Sequence, residues 1–283
     1  MRSLLNYLNK NKLPAWGFLV IYYLLVVLLH QQVSNLFLNM FEGVPRNVYQ
    51  TTVLLVGSVL LLIYVLIIIR NIIIREWRRM IIFYLFFSLV FVVLSFEIII
   101  IHNIEIIHFA QYAGIAILLF PILRRFGDTV FWATILGFFD EAYQYLYLKP
   151  DGTDYFDFND VILNVIGTGL GLILIFSNGF QIYRLELRKW YKSVSNISAM
   201  VFIIGICVLF FASVIQLYPS DAISENHFIL VKVKDVGFWR FVNPTIGRFH
   251  VVRPLEGTII IIILMMFYFT MDRVAKTLII EKS

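Results

Sequence analysis

The chain has 283 residues, of which 60% are hydrophobic and only 14% charged, with a mean hydropathy of +0.86. A soluble domain carries about 25% charged residues, so this composition excludes an ordinary soluble protein and describes an all-α polytopic membrane protein whose apolar surface faces lipid. The net charge of +5 reports topology before it reports a polyanion, because Lys and Arg concentrate in the cytoplasmic flanks of membrane spans; no nucleic-acid partner is expected.

Eight transmembrane helices are predicted, at about 15–37, 48–69, 80–101, 106–123, 129–148, 158–177, 198–217 and 257–271. Most of these runs approach the length that crosses roughly 30 Å of hydrocarbon at about 1.5 Å per residue. Arg2, Lys10 and Lys12 precede the first run, which is long and has no small-x-small ending; it reads as an uncleaved span rather than a signal peptide. The last run is short and extends toward Leu278, which places Asp272 and Arg273 at the interface. Of the 23 Lys and Arg, 16 fall on one set of flanks, the set that includes both termini. The N- and C-termini are therefore expected in the cytoplasm. The seventh span contains the single cysteine, Cys207, which excludes an intramolecular disulfide and gives no metal-ligand spacing.

Two connections stand out. Residues 180–193, FQIYRLELRKWYKS, are basic and aromatic and are expected to lie along anionic headgroups. The loop 218–256 is the one sizeable segment outside the membrane, and it reads as a small extracytoplasmic β-ribbon. In that reading His227–Lys234 turns through Asp235–Gly237 into Phe238–Val242, with Phe249–Arg253 as a third strand. Phe238, Trp239 and Phe241 then sit in the headgroup zone. The ribbon is expected either to cap the bundle or to dock a protein partner.

The polar residues that carry chemistry fall in three consecutive spans. His108 opens the fourth, with Tyr112 one turn on. Asp140, Glu141 and Gln144 lie late in the fifth, about 18 Å from its cytoplasmic start. Asp157, Asp160, Asn164, Gly167 and Gly171 open and line the sixth. Gln144 is four residues from Asp140 and three from Glu141, so it shares a helix face with either acid. Asp160, Asn164, Gly167 and Gly171 form one helical stripe, polar at its outer end and built for close helix packing deeper down. Carboxylates inside a membrane cost roughly 2.5–3.5 kcal/mol each on insertion scales and are by default a functional hypothesis. Two adjacent acids in low dielectric do not both stay ionised without a cation. Asp157 and Asp160 can also serve as helix caps.

Taken together, these residues resemble the VanZ-like family. The shared pattern is His108-x3-Tyr112, then Asp140-Glu141-x2-Gln144, then Asp160-x3-Asn164-x2-Gly167-x3-Gly171, with Asp157 three residues earlier. The resemblance covers about residues 83–177, a four-helix core between a two-span segment at 1–82 and a segment at 178–283 holding the basic connector, two spans and the loop. One position departs: where the family usually has an Arg, six residues before the second Asp, this chain has Asp154. The family's name comes from resistance to the glycopeptide teicoplanin in Gram-positive bacteria. The resemblance therefore implies a multi-pass protein of the bacterial cytoplasmic membrane with an envelope role at the outer leaflet.

Three classes of function fit. The first is binding, with or without translocation, of a lipid-linked or cell-wall component such as a polyprenyl-linked intermediate, through an acidic pocket open to the outer side. Clustered acids repel a phosphate, so this reading needs a bridging divalent cation or recognition of hydroxyls and amines. No cofactor is otherwise expected. The second is a membrane-embedded hydrolase or transferase using His108 and the acids. It lacks a Ser or Cys nucleophile beside them and, with one His in the cluster, a histidine-rich zinc set. The third is a non-catalytic scaffold of a membrane complex.

Overall fold

The computed structural model of the chain describes residues 2–73, 78–101, 103–148, 155–178, 194–217, 228–231, 237–243 and 247–280. Its α-helices are α1 (Arg2–Lys10), α2 (Lys12–Met40), α3 (Arg46–Ile72), α4 (Arg78–Ile98), α5 (Ile107–Leu123), α6 (Phe126–Tyr143), α7 (Phe158–Ser177), α8 (Val194–Phe211) and α9 (Pro254–Ile280). The strands are short: β1 (Ile215–Gln216), β2 (Phe228–Ile229), β3 (Arg240–Asn243) and β4 (Gly247–Phe249).

Among the described residues, six helices are long and apolar enough to cross a membrane, with spans at Lys12–Leu29, Asn47–Ile72, Arg79–Ile98, Ile104–Leu123, Phe158–Ser177 and Pro254–Ala275. The protein is an all-α polytopic membrane protein. Two of the eight anticipated runs differ from these. Helix α6 carries Asp128, Asp140 and Glu141 within 18 residues and passes into a π-helical turn at Gln144–Leu148. Helix α8 contributes a shorter apolar stretch, Ile197–Phe211, and residues 215–216 of that anticipated run are strand. The last run extends toward Leu278 as anticipated, since α9 continues to Ile280.

Helix α7 is the centre of the bundle. Of its span 89% is buried, against 11% for α3. Helices α4, α5, α6 and α9 ring it, and α1 and α2 pack on the far side of α5. Polar groups inside the bundle find one another. The Tyr64 hydroxyl of α3 donates to the Leu170 carbonyl of α7 at 2.8 Å, and Ser88 and Tyr268 share a hydrogen bond of 2.9 Å between α4 and α9.

The ends of α5 and α6 are tied to distant segments. The last carbonyls of a helix have no partner within it, and Lys12 Nζ donates to those of Pro121 (2.5 Å) and Ile122 (3.1 Å). Helix α5 stops at Arg124, whose φ of 59° is left-handed and whose guanidinium donates to the Asn9 carbonyl at the end of α1. Asp272 of α9 caps α6: its carboxylate accepts from the backbone N–H of Phe126 at 2.8 Å and of Gly127 at 3.0 Å. This is where the sequence placed Asp272 beside an interface, but the side chain serves the helix dipole rather than the headgroups. Asp272→Ala is expected to lower stability by about 1–2 kcal/mol, read as the melting temperature of the detergent-purified protein; an unchanged value would mean that α6 starts without this cap.

In the described residues of the loop beyond α8, Phe228–Ile229 pairs in parallel with Ile215–Gln216, and Val231 bridges Tyr155 in antiparallel sense. Strands β3 and β4 pair in antiparallel sense, through Arg240↔Phe249 and Phe241↔Arg248. Residues 250–253 continue as non-strand chain into α9. Tyr145, Phe156 and Phe228 make edge-on contacts of 5.1–6.3 Å, which pins residue 228 over the ends of α6 and α7. The Tyr145 hydroxyl also donates to the Ile229 carbonyl. Phe238, Trp239 and Phe241 remain exposed on the loop. Most of the anticipated turn at 235–237, and the connector 180–193, lie outside the described residues.

Candidate functional site

The polar residues of α5, α6 and α7 meet in the interior of the bundle. On α5, His108 and Tyr112 are one turn apart and point at different partners. His108 Nδ1 lies 2.9 Å from Asn164 Oδ1, and His108 Nε2 lies 3.5 Å from Asp160 Oδ2, both on α7. The Tyr112 hydroxyl donates to Asp140 Oδ2 on α6 at 3.2 Å. Gln144, where the π-helical turn begins, donates through Nε2 to Glu141 Oε1 at 3.0 Å and to Asp140 Oδ1 at 3.4 Å. The i, i+3 and i, i+4 spacings read from the sequence thus become actual hydrogen bonds.

His108, Tyr112, Asp140, Glu141, Gln144 and Asn164 are all buried, none more than 4% exposed. Asp160 is the member nearest the exterior, with 15% of its side chain exposed. The network therefore runs from an edge at the start of α7 into a closed interior. Asp157 stands apart from it, as the N-cap of α7: its carboxylate accepts from the Asn159 backbone N–H at 2.9 Å. Gly167 and Gly171 line the crossing with α5. A Cβ at 167 would lie 2.7 Å from the Phe109 carbonyl oxygen, and one at 171 would lie 2.6 Å from that of Ala113. The α5 backbone thus rests directly on α7, which sets His108 within reach of Asn164 and Asp160.

The arrangement holds three carboxylates and one imidazole in a medium where an uncompensated charge is costly. His108 faces Asp160 across 3.5 Å. Asp140 and Glu141 both accept from the Gln144 amide, and Asp140 also accepts from the Tyr112 hydroxyl. Asn164 Nδ2 is buried with no hydrogen-bond partner among the described residues, and it faces the space left by Gly137, whose Cβ would lie 3.2 Å away. A neutral His108 that donates from Nε2 to Asp160 presents an acceptor at Nδ1, which calls for the amide N–H2 of Asn164; a doubly protonated ring calls for its oxygen. The Asn164 amide can thus follow the proton on His108. No group of three or more His, Cys, Asp or Glu side chains converges as metal ligands do among the described residues.

Three contributors are invisible in the motif pattern. Tyr23 of α2 reaches over the site and donates to the Leu136 carbonyl at 2.9 Å, with Tyr22 beside it bonded to the Gln111 carbonyl. The adjacent tyrosines in an otherwise apolar span were the available signal. Gly137 makes room for Asn164 and Tyr112. Asn159, in the first turn of α7, bridges three segments. Its Nδ2 donates to the carbonyls of Ile99 (3.0 Å) and His250 (2.9 Å), and its Oδ1 accepts from the Val252 N–H at 2.9 Å.

Compared with family models, curated proteins and solved structures, the chain matches none.

Proposed function

We propose that this chain is a VanZ-like protein of the bacterial cytoplasmic membrane that binds a lipid-linked or cell-wall component, with or without translocating it, through the acidic network of α5, α6 and α7. In this reading α6 and α8 complete a set of eight spans. The termini are cytoplasmic, and the β-strands of the 218–256 loop lie on the outer face. The single observation that carries the proposal is the convergence of Asp140, Glu141, Gln144, Asp160, Asn164 and His108 from three helices into the bundle interior. It includes an amide donor left unpartnered where buried polar groups are ordinarily satisfied. Asp160 marks the entrance. Amines and hydroxyls of a sugar or peptide headgroup suit these acceptors better than a bare phosphate does. Asp140 and Glu141 would accept hydrogen bonds from the ligand, Gln144 and Asn164 would orient them, and His108 would exchange a proton. Asp157 and Tyr112 support the walls.

The experiment is glycopeptide susceptibility in a Gram-positive host. Wild-type protein is expected to raise the teicoplanin concentration needed for inhibition, and Asp140→Asn, at equal membrane abundance, is expected to give no rise. No effect from wild type would remove the envelope reading.

A second reading, a scaffold in which the network only fixes helix geometry, is favoured by the near-complete burial of six of its members. Under it, Asp140→Asn loses melting temperature and abundance rather than activity. The exposed aromatics at Phe238, Trp239 and Phe241 would then be the contact for a protein partner.

A further inference from the structure

Helix α3 touches the bundle at two places and leaves an apolar groove between them. Near the start of α5, the Ile106 side chain closes on Gly57; twelve residues after Thr52, Tyr64 crosses to bond the Leu170 carbonyl of α7. Between α3, α4, α5 and α7 lies a groove of about 520 Å³, a size ordinarily associated with ligand sites. Its walls include Val56, Leu61, Val92, Ala110, Ala113 and Leu174. Two of the hydroxyls that border it are already used: Thr52 donates to the Val48 carbonyl and Tyr64 to Leu170. The groove therefore offers an occupant no free hydroxyl from either residue.

We infer that this groove is a binding site for one acyl chain of a glycerophospholipid from the leaflet on the α2–α3 side. All four helices that form it are candidate membrane spans, so its surroundings are hydrocarbon, and an empty cleft beside lipid forfeits dispersion contacts that a chain restores. Its depth along α3, from Thr52 to Tyr64, is about 18 Å, close to the roughly 15 Å of one leaflet. Tyr64 crosses it at that depth. A chain that ends at the midplane fits; a polyprenyl chain much longer than a leaflet does not. The groove lies across α5 from the acidic network and shares Gly171 with its packing stripe. The seated lipid would wedge α3 against the α5–α7 pair. This inference stands independently of what the acidic network binds.

The test is native mass spectrometry after reconstitution with palmitoyl-oleoyl phosphatidylglycerol and extraction in mild detergent. Wild type and Asp140→Asn are expected to retain one phospholipid. Ala110→Phe, at an exposed wall position, and Leu61→Trp, from the opposite wall, are expected to reduce retention about tenfold with helical content unchanged. Equal retention in wild type and both groove variants, or absence of retained phospholipid from wild type, would each overturn it.

Discussion

Gly167→Ala and Gly171→Ala will each destabilise the protein, and together they will separate α5 from α7. Alanine in a helix interior ordinarily gains about 1 kcal/mol over glycine, so the sign depends on space. At both positions the added Cβ meets backbone: Phe109 O and Cα at 2.7 and 2.8 Å, and Ala113 O and Cα at 2.6 and 2.9 Å. No rotamer change relieves a clash with a neighbouring main chain, and overpacking of this kind costs roughly 1–3 kcal/mol or more. The upper end applies, which leaves a net loss of about 2 kcal/mol for each variant. Gly205 in α8 has nothing within 4 Å of its would-be Cβ. Gly205→Ala is therefore the internal control, expected to be neutral or stabilising by up to about 1 kcal/mol. Melting curves in detergent check all three; an equal response at 167, 171 and 205 would mean that the α5–α7 crossing is not a close backbone contact.

Asn159→Leu will be as damaging, by a different route. The substitution keeps side-chain bulk but strands the carbonyls of Ile99 and His250 and the N–H of Val252, all of which the amide now serves. A buried backbone group left without its partner costs about 1–3 kcal/mol, so a total near 3 kcal/mol or more is expected. That corresponds to a fall of roughly 10 °C in melting temperature. The loss should be accompanied by exposure of the 250–253 segment to limited proteolysis, because the same amide joins it to the end of α4 and the start of α7. His250 adds further ties, with its backbone N–H on the Ile98 carbonyl, its ring stacked on Phe238 at 4.0 Å and its Nε2 hydrogen-bonded to the Glu256 carboxylate at 2.9 Å. Asp157→Ala, which removes the N-cap of α7, is expected to cost about 1 kcal/mol; equal effects at 157 and 159 would contradict the bridging role.

What was legible in the sequence depended on distance along the chain. The prediction for α7 coincides with the helix because its apolar run is uninterrupted, and Asp140, Glu141 and Gln144 fall on one face because helical periodicity alone puts them there. The polar series of α5 and α7 could be read as stripes, but not which members would touch. His108 reaches Asn164 across 56 residues, and Tyr112 reaches Asp140 across 28. The contacts missed altogether are longer-range still: Asp272 capping α6 from 145 and 146 residues away, Lys12 on the end of α5, Tyr23 over α6 and Asn159 between three segments. Each joins groups that local propensity leaves unsatisfied, so sequence can flag the need but not the partner. In the loop, alternation marked 227–234 as strand, but not the pairing of Phe228–Ile229 with Ile215–Gln216.

The network also shows why burial and function need not conflict here. Six side chains seal the interior, while Asp160 keeps an edge at the exterior. Under the proposed function, a headgroup that enters there would exchange internal hydrogen bonds for its own.

The most direct measurement is native mass spectrometry of the protein extracted in mild detergent from Gram-positive membranes, wild type beside Asp140→Asn, with melting temperatures recorded for both. The proposed function predicts a polyprenyl-linked lipid retained by wild type and reduced at least tenfold in Asp140→Asn at matched stability. Wild type free of such a lipid, or equal retention in the two proteins, would contradict it and leave the acids as part of the bundle's internal scaffold.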